Sequence, residues 1–469
     1  MSTYTHVTRV GHRRDEVFAW HERPGAVTRL TPPTFGRVEQ EPSDGLRDGS
    51  RAVLRINVPA TSGLLRLRWV ARHRGYRPPH SFEDEMESGP LGSWQHRHTL
   101  AVADPDGITE IIDEIDAAPP LGIGGLPGRL FDATLHRQLD RMFSYRARQL
   151  RADLDFHARR PAPRTIAVSG ASGTVGRQLV ALLGGGGHRV RRLVRRPPRT
   201  PDEIRWDPAR GRVDAEKLRD VDVVIHLAGE PIGGRFTESH KRAVYFSRVR
   251  STRLLATTLA DLADDGRARA LVSASAVGWY GPDRGDEILD EDDAPGTGFL
   301  ADVCRSWEDA CAPARDAGVR VVNVRTGLVQ SAAGGPLALQ APIFATGLGG
   351  PLGDGSQWLG WITIDDLVRL YGHVALTDGL DGPVNACAPE PVRAEEYARV
   401  LGRVLHRPHA LRVPAAAPAL LLGREGAHEL ALAGQRTSAK RAQEWGVTFE
   451  HPDLASGLRH VLAADHEES

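Results

Sequence analysis

In the stretch "FDATLHRQLDRMFSYRARQLRADL" the apolar residues Phe131, Leu135, Leu139, Met142 and Phe143 recur at three- and four-residue spacing, which predicts a long helix with one apolar face. Ahead of it, "SRAVLRINV" and "LLRLRWVARH" alternate apolar and polar positions and predict strands, while an amphipathic segment surrounds "DEVFAWHERPGAVTRL". A strand, a short helix, antiparallel strands and a long closing helix would wrap a curved sheet around that helix. The pattern then changes. Across "HARRPAPRTIAVSG" a polar, proline-bearing seam gives way to the buried-strand run Thr165–Ser169, which marks a domain boundary. Beyond it "TIAVSGASGTVGRQLVALL", "HRVRRLVRR", "DVDVVIHLAGEPI" and "ARALVSASAVGWYG" read as strand, turn, helix and strand of an α/β domain with a doubly wound parallel sheet. The expected organisation is 1–157 as an α+β domain, 158–164 as a linker, 165–410 as the α/β domain and 411–469 as a small C-terminal cap.

A chain of 469 residues has room for several such units. Its 60 basic and 60 acidic residues cancel, so no overall field favours nucleic acid or an anionic membrane surface. The three cysteines, Cys304, Cys311 and Cys387, show no spacing of a disulfide framework or zinc site, which fits a reducing compartment. The start "MSTYTHVTRVGHRRDEVF" lacks an apolar core of signal-peptide length, and no apolar run reaches the roughly 18 residues of a membrane span, so a soluble cytoplasmic protein is expected. His96 and His98 in "SWQHRHTL" share one strand face. Without a third ligand in view they are expected on a partly solvated face, and no metal is expected.

The chemistry begins at "GASGTVG". Gly170 permits a tight turn, Gly173 lets backbone approach a pyrophosphate, and Gly176 lets helix pack on strand, with the anion at a helix N-terminus. The loop stands in the strand-to-helix context that a dinucleotide site requires. At the end of the second strand, where an NAD site presents a carboxylate to the ribose hydroxyls, the chain has Arg195 and Arg196. A carboxylate would repel a 2′-phosphate and a guanidinium can pair with it, so the expected cofactor is NADP. The turn in "HLAGEPI", where Leu227 is followed by the small residues Ala228 and Gly229 and then by Glu230, lets the chain pass close to the adenosine side.

Taken in order, "GASGTVG", "HLAGEPI", "SRVRST", "SASAVGWYG", "FLADVCRSWE", "GLGGPLGDGSQWLGWITIDDL" and "GPVNACAPEPV" resemble the atypical extended short-chain dehydrogenase/reductase family that carries sugar-nucleotide-epimerase and SulA-like cell-division-inhibitor labels. The resemblance covers about residues 164–467 and includes the family's small C-terminal module in "REGAHELALAGQRTSAKRAQEWGVTFEHPDLASGL". The N-terminal layout, with "FAWHERPGAVTRLTPP", resembles the START-like helix-grip fold of the polyketide cyclase and lipid-binding (SRPBCC) superfamily, which implies a cavity for an apolar small molecule. The family resemblance implies a Rossmann-type domain, an NADP-dependent oxidoreductase or epimerase-like reaction on a small substrate, and further cofactor contacts from Ser172, Thr174, Val175 and Arg248.

Extended members of such families use a Ser or Thr after the fourth major strand, then Tyr and Lys separated by three residues. Ser275 matches the first. With Glu308 at the family's acidic position, Leu300 and Cys304 occupy the Tyr and Lys positions, so the pair is absent. Ser275 and Tyr280 are then the candidate catalytic groups, Cys304 is expected to pack, and Glu308 is expected to tie its helix to a neighbouring loop. The glycine-rich stretch around Gln357 and Trp361 reads either as a lid that meets substrate or as a rigid connection. Loss of Tyr and Lys opens a second reading, a catalytically inactive dinucleotide-binding sensor or interaction protein with a link to cell division.

Overall fold

The computed structural model describes residues 2–58, 65–104, 107–120, 125–160 and 162–464, which leaves Pro161 of the expected linker outside the described residues. The chain divides into two compact units, residues 1–162 with 181–187 and 459–469, and residues 163–180 with 188–458.

The first unit contains strands β1 (Ser2–Val10), β2 (Gly36–Gln40), β3 (Ser43–Leu46), β4 (Arg51–Asn57), β5 (Arg66–Arg77), β6 (Ser81–Ser88), β7 (Ser93–Asp104) and β8 (Ile108–Ala118). Its helices are α1 (Arg14–Glu22), α2 (Ala26–Leu30) and α3 (Gly125–Ala158). All the strands except β3 form a curled antiparallel sheet in the order β1-β8-β7-β6-β5-β4-β2. The apolar stripe of α3 lies on this sheet: Leu139, Met142 and Phe143 pack with Tyr4, Ile115 and Ala117, and Leu150 and Leu154 pack with Phe18, Phe82, Leu100 and Ile111. Burial of this stripe is what makes so long a helix stable.

One expectation about this sheet is corrected. His96 is only 3% exposed and His98 is largely covered, so they do not lie on a solvated face. The alternation of β7 puts them on the same side as buried Leu100, and the antiparallel register sets Asp113 of β8 opposite His98 and Asp84 of β6 opposite His96. The carboxylate partners of this pair come from neighbouring strands, so the sequence of β7 alone does not show them.

The second unit is built around β9 (Thr165–Ser169), β10 (Arg189–Val194), β11 (Glu203–Asp207), β12 (Arg212–Val213), β13 (Val223–His226) and β14 (Ala270–Ala276). Further along come β15 (Asp283–Leu289), β16 (Arg320–Thr326), β17 (Leu328–Gln330), β18 (Trp358–Leu359), β19 (Trp361–Thr363), β20 (Gly382–Ala386), β21 (Val392–Arg393) and β22 (Gly434–Thr437). The helices, of which residues 181–185 and 459–461 group with the first unit, are α4 (Thr174–Gly185), α5 (Glu238–Asp261), α6 (Phe299–Asp309), α7 (Ala312–Asp316), α8 (Gly335–Ala345), α9 (Ile364–Leu376), α10 (Ala394–Val404), α11 (Ala417–Gly426), α12 (Lys440–Glu444) and α13 (Leu454–Val461). Eight strands order as β12-β11-β10-β9-β13-β14-β16-β20, all parallel apart from the β11–β12 pair. The expected doubly wound Rossmann-type sheet is therefore present. Strand order reverses between β9 and β13, the topological switch point at which such sheets bind ligands.

The glycine-rich stretch before β19 forms paired structure: β18 pairs with β21, and Leu352 bridges to Val413. Trp361 is fully buried, with its indole N–H donating to the Glu390 carbonyl, so it belongs to the core and not to a substrate-facing lid. The 411–458 region is joined to the second unit, for β22 pairs with β15. Among the described residues no helix is long and apolar enough to cross a membrane.

Candidate functional site

The site is assembled at the ends of β9, β13 and β14. Between β9 and α4 the chain turns through Gly170 at φ +69°, a left-handed conformation that favours glycine. A Cβ there would lie 2.8 Å from the Leu227 carbonyl carbon and 2.9 Å from the Ala228 nitrogen, and a Cβ on Gly176 would strike the Gly170 carbonyl oxygen. The Gly173 N–H donates to that same oxygen at 2.9 Å. Any side chain at Gly170 would thus push the 170–176 loop away from the 227–230 turn. Bare backbone with its N–H groups at the start of α4 is what a pyrophosphate requires.

The 227–230 turn is held by a hydrogen-bond relay. Ser169 Oγ accepts from the Leu227 and Ala228 N–H groups at 3.1 and 3.2 Å and lies 2.6 Å from His226 Nδ1. With both acceptor sites of Ser169 used, its own proton goes to Nδ1. Nε2–H then donates to Ser251 Oγ at 2.9 Å, and Ser251 donates on to the Ser247 carbonyl. Ser247 Oγ in turn accepts from the Glu230 N–H. This tautomer requires a neutral imidazole, and burial, followed by the Arg248 charge, pulls His226 down to about 3. The guanidinium of Arg248 donates to the Glu230 and Val244 carbonyls and lies 5.0 Å from the Trp307 ring centre. "HLAGEPI" and "SRVRST" are therefore two halves of one support.

At the end of β10 the two arginines differ. Arg196 forms an ion pair with Glu203, Nη1 to Oε2 at 2.8 Å, and this bond chiefly holds the Glu203 carboxyl down to about 2. Arg195 is exposed and has no partner among the described residues.

Below the end of β14 lies a second buried network. Ser275 Oγ donates to Glu308 Oε1 at 2.7 Å, and Glu308 accepts both Nε (2.9 Å) and Nη2 (3.1 Å) of Arg325. Arg325 Nη1 also donates to the Tyr280 hydroxyl at 3.3 Å, which donates to Asn385 Oδ1 at 2.8 Å. Glu291 accepts the Asn385 N–H at 2.6 Å. Tyr280 is fully buried, and burial drives its hydroxyl well above the usual phenol range. Glu308 ties α6 to β14 and β16, a bond between elements of the core and not to a loop. Arg325, Asn385, Glu291, Ser169 and His226 escaped the sequence reading. The signal for Arg325 was a charge inside the buried run "VVNVRT".

Leu300 and Cys304 lie on the face of α6 that meets the turn after β14, where a Cβ on Gly278 would lie 3.4 Å from Leu300 Cβ and 3.6 Å from Cys304 Sγ. Burial, then Glu308, pushes the Cys304 thiol up to about 12, so it is a packed thiol with no tendency to ionise near neutrality. The N-terminus of α6 is capped from the C-terminal region: Glu429 accepts the Phe299 and Leu300 N–H groups at 3.1 and 3.0 Å.

The model of the NAD dependent epimerase/dehydratase family matches residues 166–386, and that of a domain of unknown function (DUF1731) matches residues 413–461. An Epimerase family protein of Mycobacterium bovis is 39% identical over 301 residues, covering 64% of this chain and 98% of its own. The crystal structure described as a nucleoside-diphosphate sugar epimerase from Corynebacterium glutamicum is 37% identical with a TM-score of 0.80, over 99% of this chain and 91% of that one. The human epimerase family protein SDR39U1, crystallised with NADPH, is 29% identical with a TM-score of 0.56, over 64% of this chain and 99% of its own. These matches give no support to the START-like or the SulA-like label. What stands for the N-terminal region is the curled antiparallel sheet and its long helix.

Proposed function

This chain belongs to the NAD dependent epimerase/dehydratase family, and from that membership we propose that it binds NADP(H) at the 170–176 loop and catalyses an oxidoreductase or epimerase-like reaction on a small molecule without a Tyr-xxx-Lys pair. The observation that carries the reading is the loop itself, bare backbone pressed against the 227–230 turn with no space for a Cβ at Gly170 or Gly176. NADP rather than NAD is supported by the unpaired, exposed Arg195 at the end of β10 and by the NADPH crystallised with the human relative. A bound nicotinamide would supply or accept the hydride. The chain's own part is to seat the pyrophosphate on the start of α4, to pair Arg195 with the 2′-phosphate, and to hold the 227–230 turn in place through Ser169, His226 and Arg248.

For the proton we assign Ser275, which stands at the end of β14 and hands its hydroxyl proton toward Glu308. Tyr280, the other candidate, is engaged by Arg325 and Asn385 and contributes by fixing that network. A family whose members are named as epimerases does not favour the inactive-sensor alternative. The test is NADPH oxidation, followed at the nicotinamide absorbance band, with quinones, aldehydes and keto-sugars as acceptors. Turnover that Ser275→Ala reduces by about 10²-fold or more, with NADPH binding unchanged, supports the assignment. Bound NADPH with no turnover on any acceptor supports the sensor, and absence of NADPH binding removes the proposal.

A further inference from the structure

The first unit carries a buried cluster that the nucleotide site does not use. Strands β5 to β8 bring His73, Asp84, His96, His98 and Asp113 together through their register: His73 pairs with Asp84, Asp84 with His96, and His98 with Asp113. Asp84 Oδ2 lies 3.3 Å from both His96 Nδ1 and His98 Nε2. That is long for a charge-assisted hydrogen bond, which runs at about 2.7–2.9 Å. It does fit the spacing of about 3.3–3.4 Å between donors that each stand 2.0–2.1 Å from a tetrahedral ion.

The other nitrogen of each ring is spoken for by one carboxylate oxygen. Asp113 Oδ1 lies 3.0 Å from His96 Nε2 and 2.6 Å from His98 Nδ1. A histidine that ligates a metal donates its second N–H to such an acceptor, which fixes the tautomer and aims the free lone pair. Here one aspartate does this for both rings and aims both lone pairs at Asp84. We infer that Asp84, His96 and His98 bind one divalent transition-metal ion on the inner face of this sheet, with Asp113 as the residue that orients both imidazoles.

One further feature stands beside the site. His73, 5% exposed and directly across from Asp84, has a buried Nδ1 with no hydrogen-bond partner, where a core polar group is ordinarily satisfied. Phe82 stacks on His98 with ring centres 4.2 Å apart, and Phe143 lies edge-on to His96, so the donors sit in an apolar wall. Two imidazoles and a carboxylate select zinc, cobalt or ferrous iron over the harder magnesium and calcium.

The test uses the full-length chain, stripped with chelator and titrated with Co²⁺ and Zn²⁺. One ion per chain, with visible cobalt absorption that zinc displaces, is the expected result. His98→Ala and Asp84→Ala should each weaken zinc binding by at least about 100-fold and Asp113→Asn by about 10- to 100-fold, with exposed His428→Ala unchanged. Should the alanine variants not fold by circular dichroism, His98→Gln and Asp84→Asn preserve the hydrogen-bonding shape and carry the same expectation. Substoichiometric uptake by the wild-type chain, or a cobalt spectrum that survives His98→Gln, overturns the site and leaves a protonated His98 as the occupant of the cluster.

Discussion

Two buried polar networks, one in each unit, satisfy the same physical demand in opposite ways. In the second unit Glu308 meets Arg325 through two hydrogen bonds, a carboxylate paired with a guanidinium whose charge is permanent. In the first unit Asp84 and Asp113 meet imidazoles, whose charge depends on a proton or a metal. Burial penalises the charged forms in both cases. A guanidinium pays that penalty once and for all, whereas the imidazole cluster leaves its charge to be set by conditions. Permanent pairing suits a scaffold that holds α6 and β14 in place; conditional pairing suits a ligand site.

The sharpest way to break this contrast is to remove the permanent charge. Arg325→Met leaves Glu308 buried without its partner and should destabilise the second unit by about 3–5 kcal/mol, while Glu308→Met combined with Arg325→Met should recover most of the loss. Denaturant unfolding read by amide hydrogen exchange in the second unit measures both. A single substitution costing less than about 1 kcal/mol would show that the pair is not a permanent fixture.

Acid gives the next largest effect. His226 is fully buried with a folded pKa of about 3, so below the ordinary imidazole value of about 6.5 the unfolded state binds a proton that the folded state refuses. Stability of the second unit should fall by about 1.4 kcal/mol per pH unit below that point, about 2 kcal/mol by pH 5, and His226→Gln should flatten the slope. His98 has the opposite sign. Burial alone would lower it, but Asp113 and then Asp84 outweigh burial and raise it, and both carboxyls are depressed against burial by the two imidazoles. In the metal-free chain its stabilisation should be complete just below the ordinary imidazole range and fade as pH rises through its raised value. It should also fade as acid protonates the two aspartates. Melting curves of wild type and His98→Gln across pH separate this contribution from the falling limb contributed by His21 and His73, both lowered by burial.

Arg195 is a third kind of charge, exposed and uncommitted. Arg195→Ala should weaken NADPH binding about tenfold, roughly 1.4 kcal/mol, and leave NADH unchanged, as measured by titration calorimetry. Arg196→Ala should instead act on Glu203 and on local stability. Equal losses for both cofactors would mean that Arg195 does not read the phosphate. The smallest effect is expected at Cys304, where no charge is at stake. Cys304→Ala should cost about 1 kcal/mol of stability through lost packing and leave turnover near wild type.

Periodicity and punctuation were enough to read the α3 stripe, the parallel sheet and the glycine turn before α4, because each is written in residues adjacent along the chain. For the N-terminal region the curled antiparallel sheet and the long helix stand, while the START-like label has no support from the comparisons. Three things needed the folded molecule: which of two neighbouring arginines is spent on Glu203, how Ser169, His226 and Ser251 form one relay, and where His96 and His98 point. Each depends on partners between 7 and 57 residues away that the packing of strands and helices brings within hydrogen-bond reach. Alternation along β7 fixes that both histidines share a face; only pairing with β6 and β8 decides that the face is buried and lined with carboxylates.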